Sequence, residues 1–131
     1  MKLLLVSGHT SGYNSCKATG VNEGDLNIDL VKSLASRLEG YAEISVYPYD
    51  RDMYHDNKNG CLKVNLKDYD YIFECHFNAP GEAKKGTVRG TEILIHSDYK
   101  GGISVEKNIL AKMVLLGFEN RGIVYRNDLL N

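Results

Sequence analysis

The feature that most constrains this chain lies at its start. Leu3 to Val6 is a short apolar run that stops at Ser7-Gly8, and from Asn22 a second pattern begins. Leu26, Leu30, Val31, Leu34, Ala35 and Leu38 recur there at helical spacing. The first segment reads as a buried strand meeting a loop, the second as an amphipathic helix, with Asn22 placed to cap it and Gly40 to end it. Between them, Thr10 to Val21 carries Gly12, Asn14, Ser15 and Gly20 and reads as polar loop.

Downstream, Ala42 to Tyr47 alternates like a strand and stops at Pro48, and Asp50 to Gly60 is so dense in Asp, Asn, Lys and Gly that an exposed loop is expected. Tyr69 to Cys75 reads as the next strand, Ala79 to Arg89 as a loop, and Thr91 to His96 as another alternating strand. Ile103 to Leu116 supplies a second amphipathic helix, with Val105, Ile109, Leu110, Met113 and Val114 on its apolar side, and Gly122 to Tyr125 is a last strand. This order predicts an α/β fold, a mostly parallel sheet flanked by helices. With 131 residues and 43% hydrophobic content the chain is long enough to bury its own core, and residues 1–131 are expected to form a single domain.

Lys and Arg together number 16 against 17 Asp and Glu, so no global field draws the chain to nucleic acid or to an anionic membrane. Cys16, Cys61 and Cys75 are odd in number and widely spaced, which argues against a disulfide framework and a CxxC motif. The apolar opening is too short for a signal-peptide core or a membrane span. Synthesis and folding in the cytoplasm are expected, with any action outside the cell needing a separate route of release.

In an open α/β sheet, ligands bind beyond the carboxyl ends of parallel strands. Three residues of metal-ligand type fall there: His9 after the first strand, Glu23 in the first turn of the long helix, and His76 directly after the strand Tyr69 to Cys75. Two neutral imidazoles and a carboxylate suit catalytic zinc, because a fourth position stays open for water. Each also has an ordinary reading: a histidine after glycine as a loop or capping contact, Glu23 as a charge favoured by the helix dipole. His55 is expected to be an exposed loop side chain and His96 a strand-end surface residue. Cys75 should face away from His76 into the core, and Cys16 is not expected to reach a metal.

The chain also carries short motifs in a telling order: Leu3-Leu4-Leu5-Val6-Ser7-Gly8-His9, Asn22-Glu23, Glu74-Cys75-His76-Phe77-Asn78-Ala79, Gly90-Thr91-Glu92 and Asn120-Arg121-Gly122. In these it resembles the zinc-dependent N-acetylmuramoyl-L-alanine amidases of bacterial autolysins and of endolysins from phages that infect clostridia. The resemblance implies that His9, Glu23 and His76 hold Zn2+, that Asn78 shapes the substrate site, and that peptidoglycan is the partner. It implies hydrolysis of the amide between the lactyl group of N-acetylmuramic acid and L-alanine, on the cell wall. In the basic loop, Lys84, Lys85 and Arg89 could touch the polymer or simply be solvated.

In one respect the sequence departs from the resembled pattern. The family uses a second glutamate on a further strand as proton acceptor, and no glutamate follows Glu119 here. The catalytic base is therefore unknown; neither Glu119 nor Glu74 is assigned to it. A chain abbreviated before its last strand is expected, with an exposed sheet edge that could pair with another copy, although the oligomeric state is unknown. The alternative is a zinc-holding or wall-binding relative with impaired catalysis. A nucleotide-binding reading fares worse, because the loop after the first strand has neither GxGxxG nor a GxxxxGK phosphate cradle.

Overall fold

The computed structural model describes residues 1–13, 20–78 and 87–129; Cys16, Lys84 and Lys85 lie outside them. The chain divides into two units, Met1–Ala79 and Pro80–Asn131. In the first, β1 (Lys2–Ser7) is the middle strand of a three-stranded sheet, flanked by β2 (Glu43–Val46) and β3 (Tyr71–Cys75). Both pairings are parallel.

A central strand covered on both faces needs apolar residues at every position, which is why Leu3 to Val6 shows no alternation. Leu3 and Leu5 pack with Val31 and Cys75, and with Leu34, Ala35 and Leu38, on the side of α1 (Glu23–Leu38). Leu4 and Val6 point the other way, against Tyr47, Met53 and Ile72. Cys75 is thus the core residue that alternation predicts, and burial pushes its thiol pKa up to about 12.

The helix from Asn22 is present, but its buried face differs from the apolar stripe. Glu23, Gly24, Asn27, Ile28 and Val31 are buried, whereas Leu26 and Leu30 are exposed. The polar Asn27 lies inward because its side-chain amide donates to the carbonyl of Gly8. Asn22 occupies the N-cap position without a side-chain capping bond, and its Oδ1 is buried without a hydrogen-bond partner. Gly40 lies just past the end of the helix at φ +83°, the left-handed conformation that the C-terminal turn favours.

The expectation of an exposed loop over Asp50 to Gly60 is corrected. Met53–Lys58 forms a short helix, α2, whose Met53 and Asp56 are buried. Its six residues are too few to show a period, but Asp52 caps it, accepting the N–H of His55 through Oδ1 at 3.1 Å. Asp56 then ties the helix down. Its carboxylate accepts from the buried Tyr47 hydroxyl at 2.6 Å and from Arg51 Nε and Nη2, each at 2.6 Å.

In the second unit, β4 (Thr91–His96) and β5 (Asn120–Arg126) pair in parallel and α3 (Ser104–Leu115) connects them. Glu106 and Leu110 are the buried residues of α3; Val105 and Val114, expected on its apolar side, are exposed. Arg121 pairs with Glu92 across the two strands at 3.3 Å. The fold class is α/β, with parallel sheets flanked by helices. No described helix is long and apolar enough to cross a membrane.

Arg51 first and Tyr47 second hold the Asp56 carboxyl well below the usual carboxylate range. A depressed carboxyl pKa adds stability above its unfolded value of about 3.9 and loses it as pH falls toward the folded one. Asp56→Asn should therefore lower the melting temperature at neutral pH, and the gap from wild type should close below about pH 4. Melting curves of both proteins across acidic pH check this.

Candidate metal centre

Strand pairing sets the site. β1 and β3 are aligned so that Ser7 stands opposite Cys75, and the Gly8 N–H donates to the Cys75 carbonyl at 2.9 Å. Both strands end on one rim, so His9 and His76 leave it side by side, with ring centroids 5.0 Å apart in an edge-on arrangement. This is the carboxyl edge of a parallel sheet, where the sequence placed them.

Two glycines make the approach possible. A Cβ on Gly8 would lie 2.3 Å from His76 Cε1, and a Cβ on Gly24 would lie 1.9 Å from the Thr10 carbonyl oxygen. Gly8 thereby admits the His76 ring against the backbone, and Gly24 lets the loop after β1 lie on the first turn of α1. His9 itself has φ +69°, a left-handed backbone that costs a side-chain-bearing residue about 1–2 kcal/mol.

Glu23 is the buried member of the group, only 4% exposed. Its Oε1 lies 3.1 Å from His76 Nδ1 and 3.9 Å from His9 Nε2, and it accepts the Phe77 N–H at 3.0 Å. One ligand atom from each of the three side chains lies within 4.8 Å of the others. Bonds of about 2.0–2.1 Å at tetrahedral angles put ligand atoms about 3.4 Å apart. The observed 3.1 and 3.9 Å bracket that edge, and a carboxylate buried between two imidazoles is a donor set that a divalent cation would complete. The residues fit zinc. The histidine side chains are 23% and 38% exposed, so the group opens toward solvent on their side.

Each imidazole has a second carboxylate behind it. His9 Nδ1 is 3.2 Å from Asp52 Oδ2, and His76 Nε2 is 3.2 Å from Glu74 Oε1. Tyr13 lies against the His9 ring at 4.7 Å between centroids. Burial disfavours a charged His76, but the Glu74 carboxylate, with Glu23 after it, outweighs burial and raises the pKa above the ordinary histidine value.

Asn78 is exposed two residues past His76. His55 is exposed on α2 and carries no contact to the trio among those described. His96 belongs to the second unit, where its Nδ1 accepts the Asp98 N–H at 3.2 Å. Glu119 is exposed just before β5. Reasoning from sequence missed Asp52, because the residues around it read as loop; an Asp three places before His55 is a helix-start signal that could have exposed it.

Residues 3–130 match the sequence model of the N-acetylmuramoyl-L-alanine amidase family, and the chain belongs to that family. It is similar to the probable autolysin PH of Staphylococcus aureus (strain NCTC 8325 / PS 47), with 30% identity over 147 residues covering 99% of this chain and 29% of the relative. The chain thus spans less than a third of that protein's length. The crystal structure of N-acetylmuramoyl-L-alanine amidase from Clostridium difficile 630 shares the fold, with a TM-score of 0.71 and 21% identity over 98% of this chain and 71% of that one.

Two measurements probe the geometry. Gly8→Ala must displace the His76 ring, and zinc affinity measured by chelator competition should fall at least about tenfold while the metal-free fold persists. Acid should also weaken metal binding, because protonated His76 is no ligand. In the metal-free protein the raised histidine pKa contributes stability at low pH that is lost as pH rises through it. The rise in melting temperature on adding zinc should therefore be larger at about pH 7.5 than at about pH 5.5.

Proposed function

We propose that this chain is a zinc-dependent amidase that hydrolyses the bond between N-acetylmuramic acid and L-alanine in peptidoglycan. The observation that carries the reading is the convergence of His9, Glu23 and His76 at one sheet rim, with their ligand atoms within 4.8 Å. Membership of the amidase family supports the substrate. The family match spans both units of the chain, which supports treating residues 1–131 as one catalytic domain.

Zinc bound by these three side chains would act as a Lewis acid toward the amide carbonyl and make water nucleophilic at neutral pH. The chain's own part is to present that group rigidly and on one side only. Glu23 is fixed by the Phe77 N–H and by its place in the first turn of α1. His9 and His76 are each backed by a carboxylate, so their rings are held in place before substrate arrives.

The exposed face of the two imidazoles is where the scissile amide would lie, with Asn78 at the rim to contact the glycan or the peptide. A proton must pass from the attacking water to the leaving amine. Asp52 and Glu74 are already engaged by ring nitrogens, and neither is the proton acceptor in this reading. Cleavage of peptidoglycan places the activity on the cell wall, as in an autolysin or a phage endolysin.

Purified chain loaded with zinc and incubated with peptidoglycan should release new amino groups, identified as N-terminal alanine by end-group labelling. Glu23→Ala and His76→Ala should reduce release to background. A zinc-loaded wild-type chain that sediments with walls but liberates no amino group would show a wall-binding relative instead.

A further inference from the structure

The Asp52 side chain performs two jobs at once. Through Oδ1 it accepts the His55 N–H and caps α2; through Oδ2, 3.2 Å away, it meets His9 Nδ1. An ionised carboxylate only accepts hydrogen bonds, so this contact requires the proton of a neutral His9 to sit on Nδ1. The lone pair then belongs to Nε2, the nitrogen that faces Glu23 Oε1 at 3.9 Å. His9 needs such a partner more than most histidines do. It is the one side-chain-bearing residue at positive φ among the described residues, at +69°, and it follows a glycine.

We propose that Asp52 is a positioning residue for the metal centre: it fixes the His9 tautomer so that Nε2 is the metal ligand, and it ties the start of α2 to the site. The inference rests on the reading of His9, Glu23 and His76 as metal ligands and goes beyond it, since Asp52 is not one of those three. Its carboxylate is well placed to hold the ring, being 15% exposed against 23% for His9. A change at the start of α2 would reach His9 through this side chain.

The chemistry of substitution separates the two jobs. Asparagine has one acceptor oxygen in place of two and can serve the cap or the imidazole but not both. If its amide nitrogen turns to His9, the ring must accept at Nδ1, which moves the proton to Nε2 and blocks the ligand. Serine keeps the cap and is too short to reach His9.

The test compares wild type, Asp52→Asn and Asp52→Ser in two readouts. Zinc affinity, measured by competition with a chromophoric chelator, should fall about 10–100-fold in Asp52→Ser. In Asp52→Asn it should fall likewise where the oxygen keeps the cap and the melting temperature holds, and should persist where the oxygen turns to His9 and the cap is lost. The metal-free melting temperature of Asp52→Ser should stay close to that of wild type. Imidazole 15N shifts of the metal-free wild type should show the proton of His9 on Nδ1, and zinc should then shift Nε2. A merely structural aspartate would lower the melting temperature and leave the tautomer and the affinity of the folded protein untouched.

If wild type binds zinc but Asp52→Ser matches its affinity within about twofold, the inference falls and the metal reading stands. The proton found on His9 Nε2 in the wild type also overturns it. A wild type that binds no zinc overturns the metal reading itself, and the inference with it.

Discussion

A buried carboxylate is costly unless cations or hydrogen-bond donors surround it, and Glu23 is buried in the first turn of α1. The rest of the first unit serves that one group. The parallel pairing of β1 with β3 delivers His9 and His76 to the same rim, the Phe77 N–H closes one side, and the positive end of the α1 dipole lies beneath. Even the helix face is bent to this purpose. Asn27 is buried one turn after Glu23 and holds the Gly8 carbonyl, so a polar residue occupies a position that a helix serving packing alone would give to leucine.

Those requirements explain what the sequence could and could not disclose. Strand ends were readable because the apolar run from Leu3 and the aromatic run to Cys75 break sharply, with His9 just beyond Ser7-Gly8 and His76 directly after Cys75. Glu23 was readable from the helix start. The burial of Asn27 and exposure of Leu26 and Leu30 were not, because hydrophobic periodicity assumes that only apolar residues turn inward. α2 was hidden for another reason: six residues of mixed polarity have no period, and what holds them is the Asp56 network with Tyr47 and Arg51. This network joins residues five and nine places apart through polar side chains, a spacing that hydrophobic periodicity does not read.

The family match and the site geometry carry different weight. Family membership comes from residues 3–130 as a whole, and the structural likeness to the Clostridium difficile amidase speaks for the fold. The trio is local geometry, built from two close glycine contacts, one left-handed backbone and two supporting carboxylates. Gly24 seats the loop after β1 on α1, and the other features restrict an imidazole before anything binds. Preorganisation of this kind keeps the entropy of ordering the ligands out of the binding step.

Zinc-edge X-ray absorption of the zinc-loaded chain reads the identity of the ligand set. With His9, Glu23 and His76 as ligands the metal has nitrogen and oxygen neighbours alone, at about 2.0–2.2 Å, with the multiple-scattering signature of two imidazoles. A sulfur shell at about 2.3 Å would place a cysteine thiolate on the metal and rule out this ligand set. So would an undiminished two-imidazole signature in His9→Ala.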